Sequence, residues 1–170
     1  MSDIIVAPFS NSSIRDWPME HYRDLVGLLL EDEELTGTVR VIGTTGQRLG
    51  ACEIVRRYPA DRVVNECGRL AWGKVLVMLR AAACVIGNNS GIAHVSGHYG
   101  TPTVCVFGGS HQRLEWRPRG PHMVVLSRLI GCSPCHLDHR GASPYGKACL
   151  WDIQPEEVRD AVRLARAGQC

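Results

Sequence analysis

Apolar runs of strand length recur along the chain, each followed by a polar turn and then by apolar positions at helical spacing. "DIIVAP" (3–8) is the first run, and the polar loop "FSNSSIRDWP" (9–18) follows it. "MEHYRDLVGLLLED" (19–32) then places Tyr22, Leu25, Val26, Leu29 and Leu30 on one helical face. "TVRVIG" (38–43) predicts the second strand, and "TGQRLGACEIVRRY" (45–58) a helix with Leu49, Cys52, Ile54 and Val55 partly inward. "DRVVN" (61–65) is a shorter strand, and "AWGKVLVMLRAA" (71–82) an apolar helix in spite of Gly73. "ACVIG" (83–87) and "TPTVCVFG" (101–108) are strands on either side of "SGIAHVSGHYG" (90–100), a short helix with a glycine at its C-terminal end. "HMVVLS" (122–127) predicts the last strand. "QPEEVRDAVRLARAG" (154–168) predicts a final amphipathic helix with Pro155 in its first turn.

Strand and helix alternate about five times through short connections, the pattern of a parallel sheet covered on both faces. Right-handed crossovers then predict an α/β, Rossmann-like doubly wound parallel sheet. Residues 1–170 read as a single domain, and its one irregular stretch is a loop at 127–153 rich in Cys, Gly, Pro and His.

Composition changes this picture little. At 170 residues, 45% hydrophobic and 21% charged, the chain can bury a core without staples. A net charge of +2 gives no reason to expect nucleic acid or a membrane surface as partner, although "HQRLEWRPRGPH" (111–122) would suit a phosphorylated ligand. No run approaches the roughly 20 apolar residues that span a bilayer, and "MSDIIVAPFS" has no secretion-signal pattern. The expected compartment is cytoplasmic, so the eight cysteines are read as metal ligands or buried thiols rather than disulfides.

In a doubly wound sheet, ligands sit beyond the carboxyl ends of the strands, where helix N-termini point. Two loops there carry candidate chemistry. In "GNNSGIAH" (87–94), Ser90 and Gly91 open a helix whose unpaired N–H groups and dipole favour an anion. Gly91 admits close approach, the Ser90 hydroxyl adds a donor, and His94, one turn on, points back toward the same place. The competing account makes Ser90 or Asn89 a simple N-cap and His94 a core residue. In the first loop, Ser10 to Arg15 supply small polar groups and a guanidinium fork for phosphate oxygens. The competing account there is an ordinary turn with Trp17 as an anchor and Pro18 opening the next helix, which leaves Ser10 to Arg15 unexplained.

"SxxxxRDWP", "VRVIGTTG", "CVIGNNSGIAHVSGHYGTPTVCVFGG", "WRPRGP", "CSPC" and "CLWDIQPEEV" occur in an order that resembles glycosyltransferase family 9, the ADP-heptose:lipopolysaccharide heptosyltransferases. The resemblance covers nearly the whole chain, but only the C-terminal half of such an enzyme. It implies the donor half of a two-domain GT-B fold, with an ADP-sugar as donor. Ser90, Gly91 and His94 match residues that bind the donor diphosphate. Arg15 stands where the family usually has Lys, and Gln47 lies in the "GTTGQ" loop that approaches the base. The family usually has Asp where this chain has Asn89, which removes a charge from the site. The acceptor-binding domain and its carboxylate base would come from a separate domain or chain. A nucleotide-binding or metal-stabilised interaction module without transfer activity is the alternative.

Cys132 and Cys135 have metal-ligand spacing, and Cys149 and Cys170 complete a possible tetrahedral thiolate set, with His136 and His139 as substitutes. Free or transiently oxidised thiols are the other reading. Autotransporter heptosyltransferases carry a similar four-cysteine iron finger, and the resemblance implies structural iron or zinc here. Cys84 and Cys105, inside predicted strands, read as small hydrophobes, while Cys52 and Cys67 show no ligand spacing.

Overall fold

The computed structural model describes residues 3–137, 143 and 145–168. Six strands form one all-parallel sheet in the order β3-β2-β1-β4-β5-β6. They are β1 (Ile4–Ala7), β2 (Val39–Val41), β3 (Val63–Asn65), β4 (Cys84–Asn88), β5 (Thr103–Phe107) and β6 (Met123–Ser127). The helices are α1 (Met19–Glu31), α2 (Arg48–Val55), α3 (Trp72–Ala81), α4 (Gly91–His98), α5 (Arg113–Trp116), α6 (Ala148–Trp151) and α7 (Pro155–Ala167). The doubly wound α/β expectation is therefore met. The sequence pattern did not resolve the two short helices α5 and α6.

Side chains along each strand alternate between the two sheet faces, because successive Cβ atoms point to opposite sides. Ile4 and Val6 of β1, Cys84 and Ile86 of β4, and Val104 and Val106 of β5 pack with α1, α2 and α7. The intervening Ile5, Ala7 and Val85 meet Leu79 of α3, and Cys105 and Phe107 meet Ala93 of α4. Burial on both faces explains why the strands read as continuous apolar runs.

Helix ends follow the local chemistry of the sequence. Gln154 and Glu157 form a reciprocal capping box at the start of α7, with Pro155 as its first residue. At the end of α4, Gly100 takes φ +73°, and the N–H groups of Gly100 and Thr101 return to the Gly97 and Ser96 carbonyls. Leu49 departs from expectation and is 83% exposed. The buried stripe of α2 runs through Ala51 and Ile54, and Leu49 lies about 200° around the helix from Ala51. In α3 only Leu79 is buried, so this apolar helix leaves Val77 and Trp72 on the surface. Among the described residues, no helix is long and apolar enough to cross a membrane.

The strand order reverses between β1 and β4, and one buried side chain joins the segments that part there. Asn88, the last residue of β4, accepts from the Trp17 N–H (3.0 Å) and the Tyr22 hydroxyl (2.8 Å). Its amide donates to the Pro8 carbonyl (2.7 Å) and to Asp16 Oδ1 (3.2 Å). Burial and the nearby Asp16 carboxylate push the Tyr22 phenol well above its ordinary range, so it remains a donor. Asn88→Ala should leave the buried Tyr22 hydroxyl and Trp17 N–H unpaired and lower unfolding free energy by about 3 kcal/mol. Urea denaturation monitored by circular dichroism checks this, and a loss under about 1 kcal/mol would contradict a central role for the amide.

Candidate functional site

A cavity of about 790 Å³ opens beyond the carboxyl ends of the strands. Its walls come from the loop after β1, the loops after β2 and β3, and the β4–α4 turn. This is the crevice that a doubly wound sheet leaves where its strand order reverses. The topology predicted by the apolar pattern thus delivers the two loops that the sequence singled out to opposite sides of one space.

The loop after β1 is built by its own polar side chains. The Ser10 N–H donates to Asp16 Oδ1 at 2.8 Å, the Ser10 hydroxyl to the Ser12 carbonyl at 2.7 Å, and the Ser12 N–H back to Ser10 Oγ at 3.2 Å. Ser10 lines the cavity, yet its hydroxyl proton is used within the loop, so it shapes the wall rather than donating into the space. The 3-10 turn Ser13–Arg15 then carries Arg15 to the wall. Its Nε is buried and has no hydrogen-bond partner among the described residues.

Across the cavity, Ser90 holds the N-cap position of α4, but its hydroxyl makes no cap bond. The buried Ser90 Oγ also has no partner among the described residues. The simple-cap account therefore gives the position of Ser90 and not the state of its hydroxyl. Gly91 opens the helix, and a Cβ built on it would meet nothing within 4 Å, so the backbone there is open to approach. The first N–H groups of α4 have no intrahelical acceptors and carry the positive end of its dipole.

Asn89 and His94 do not lie on the cavity wall. They pair with each other, His94 Nε2 lying 3.3 Å from Asn89 Oδ1. Burial lowers the His94 pKa from its ordinary value, which leaves the imidazole neutral at pH 7. With Asn at position 89, this pair brings no formal charge to the start of α4.

Gln47 also lines the cavity, but its Oε1 accepts the Thr44 N–H at 2.8 Å within a capping box. Phe9, Ile42, Leu70, Trp72 and Glu66 line it as well. The sequence reading passed over Glu66 and Trp72. The available signal for Glu66 was its position just past β3, at a strand's carboxyl end. Arg40 Nη1 donates to Glu66 Oε1 at 2.6 Å and holds the carboxylate in place. Apolar and aromatic walls beside a fixed carboxylate suit a flat ring carrying hydroxyl or amino donors. The cavity thus combines cationic and hydroxyl donors with apolar walls and a fixed hydrogen-bond-accepting carboxylate.

The cysteine loop is separate from this cavity. Cys132 and Cys135 are half-buried, Cys149 is buried, and all three are free thiols. Cys149 Sγ accepts the Gly109 N–H at 3.3 Å, and burial raises its pKa, with Cys132 and Cys135 nearby adding to the effect. Among the described residues, no group of three or more His, Cys, Asp and Glu side chains is placed to hold a metal ion. Cys170 and His139 lie outside the described residues, and the expected four-thiolate set is not assembled from the rest. Cys84 and Cys105 are fully buried in β4 and β5, as expected of small hydrophobes, and burial pushes the Cys84 thiol up to about 12.

Residues 2–145 match the family model for glycosyltransferase family 9 (heptosyltransferase). Lipopolysaccharide heptosyltransferase 2 of Escherichia coli (strain K12) is 24% identical over 146 residues, which is 84% of this chain and 40% of that protein. The structure of E. coli ADP-heptose LPS heptosyltransferase II superposes with a TM-score of 0.81 at 18% identity, covering 99% of this chain and 48% of that one. Iron-containing heptosyltransferase TibC of enterotoxigenic E. coli, in complex with ADP-D-β-D-heptose, superposes with a TM-score of 0.70 at 19% identity, covering 98% and 45%. The chain therefore spans less than half the length of each of these relatives. With residues 2–145 matched by the family model, the chain belongs to glycosyltransferase family 9.

Proposed function

We propose that this chain is the donor-binding part of a heptosyltransferase-like enzyme and holds an ADP-heptose-like nucleotide sugar by its diphosphate. The observation that carries this reading is a pair of buried, unpartnered donors on residues that line one cavity, Arg15 Nε and Ser90 Oγ. Leaving buried polar groups unpaired is costly, and an anion between them would satisfy both. The nucleoside would lie toward Glu66, Gln47 and Trp72, its hydroxyls donating to the Glu66 carboxylate.

In the reaction, an acceptor hydroxyl oxygen would form a bond to the anomeric carbon as the bond from that carbon to the diphosphate oxygen breaks. Both electrons of the broken bond leave with the nucleoside diphosphate. Arg15, Ser90 and the N–H groups at the start of α4 would stabilise this growing charge. The acceptor's proton would pass to a base on a complementary acceptor-binding domain or chain. The compartment that suits this reading is the cytoplasm. A nucleotide-binding module without transfer activity would share the first half of this account.

Calorimetry should show ADP binding in the micromolar to low-millimolar range. Arg15→Met should weaken it about tenfold or more and Ser90→Ala about fivefold, with adenosine affinity little changed. No ADP binding at low-millimolar concentration would sink the donor-site reading. Turnover of ADP-heptose with a complementary domain supplied separates the enzyme from the module.

His94 supplies an independent check. Its free-state pKa lies below the ordinary value because burial disfavours the imidazolium. A nearby diphosphate favours the imidazolium, so binding should raise that pKa and become more favourable as pH falls through it. NMR titration of His94 with and without ADP measures the shift. Asn89→Asp, placing a carboxylate near Nε2, should raise the apo pKa by itself, and an unchanged value would contradict the Asn89–His94 contact.

A further inference from the structure

Lys147 lies beyond the family-matched segment 2–145, in the loop that the sequence offered as a metal site. It is 5% exposed and sits at φ +67°, a conformation that few side chains adopt without compensation. Its backbone is fixed on both sides. The Lys147 N–H donates to Ser143 Oγ at 2.9 Å, while its carbonyl accepts from the Leu150 and Trp151 N–H groups at 2.8 and 3.0 Å. From this anchor the side chain runs to the loop after β1. There Nζ donates to the Ser13 carbonyl at 2.9 Å and the Asp16 carbonyl at 2.5 Å.

Those two carbonyls bracket the 3-10 turn that carries Arg15. A turn of three residues has few backbone bonds of its own, here Arg15 N–H to Ser12 at 3.0 Å and Asp16 N–H to Ser13 at 3.4 Å. An ammonium at the carbonyl end of such a turn opposes the partial negative charge there. Burying an ammonium is costly unless it is hydrogen-bonded and near an opposite charge. The Asp16 carboxylate supplies that charge, and the attraction acts in turn to lower the Asp16 pKa against the raising effect of burial. Asp16 also accepts from the Ser10 N–H and from Asn88, so the ammonium, the carboxylate and the β4 amide tie the same few residues.

We infer that Lys147 is the positioning residue of the phosphate-facing loop: its ammonium, bridging the Ser13 and Asp16 carbonyls, holds the turn that aims Arg15 into the cavity. It touches no ligand itself and acts through Arg15. The inference rests on the donor-site reading for its consequence, though not for the clamp. Without the ammonium the turn loosens, Arg15 is no longer held at the wall, and the loss falls on ligands that carry a diphosphate.

Lys147→Met keeps the apolar stem and deletes the donors, and Lys147→Arg restores a cation. Hydrogen–deuterium exchange should show faster exchange of the Arg15 and Asp16 amides in Lys147→Met, with the β1 amides unchanged and partial recovery in Lys147→Arg. Calorimetry should show ADP affinity reduced about tenfold or more while adenosine affinity stays within about twofold. Unchanged exchange at Arg15 and Asp16 would overturn the clamp. Equal weakening of ADP and adenosine would reduce Lys147 to a structural role and overturn the positioning claim. If wild-type protein binds no ADP while the exchange difference persists, the donor-site reading fails and the clamp survives.

Discussion

Where β1 and β4 lie side by side, the segments that follow them turn to opposite faces of the sheet. The backbone groups at that parting have no neighbouring strand to pair with. The Asn88 amide resolves this by bonding at once to the loop after β1, to the start of α1 and to Asp16. A crevice at a strand-order reversal stays open only if its two edges are prevented from collapsing on each other. Here a fully buried side chain does so from beneath, leaving the space above free for a ligand.

The charges around the crevice are arranged with economy. Arg15 and Lys147 bring two cations to the loop after β1, and Asp16 returns one negative charge from below. The start of α4 brings only uncharged groups to the wall, a hydroxyl and a glycine backbone, and the Asn89–His94 pair behind them carries no formal charge. The positive field in the crevice therefore comes mainly from the loop after β1, supplemented by the dipole of α4. A relative with Asp in place of Asn89 would hold a charged acid–imidazole pair at the start of that helix.

Much of the fold was legible because it rests on local chemistry. The strands are buried on both faces and so appear as uninterrupted apolar runs, while Pro155 and Gly100 mark real helix ends. Leu49 was misread because the expected inward set Leu49, Cys52, Ile54 and Val55 does not share one helical face, while the buried stripe runs through Ala51 and Ile54. Arg15, Ser90 and Gly91, singled out by residue type and position, all line the cavity. Ser10 was not correctly understood, since nothing in "FSNSSIRD" reveals that its hydroxyl turns inward onto Ser12. The placing of Glu66 and Trp72 on the cavity wall, and the Lys147 bridge to Ser13, depend on contacts between segments far apart in the chain, which periodicity does not encode. The Cys, Gly and Pro content of the 127–153 loop drew attention to metal chemistry, while its buried lysine reached the opposite end of the sequence.

That long reach affects the order in which the molecule can be completed. Lys147 meets Ser13 across 134 positions, and the Trp17 indole meets the Ile153 carbonyl across 136. A ribosome delivers the N-terminal side of a domain first. Strands β1 to β5 can therefore assemble while the loop that carries Arg15 still lacks its last two tethers. The ligand-facing wall is finished only when the final quarter of the chain has emerged, so a nascent chain can possess its sheet well before it possesses its site.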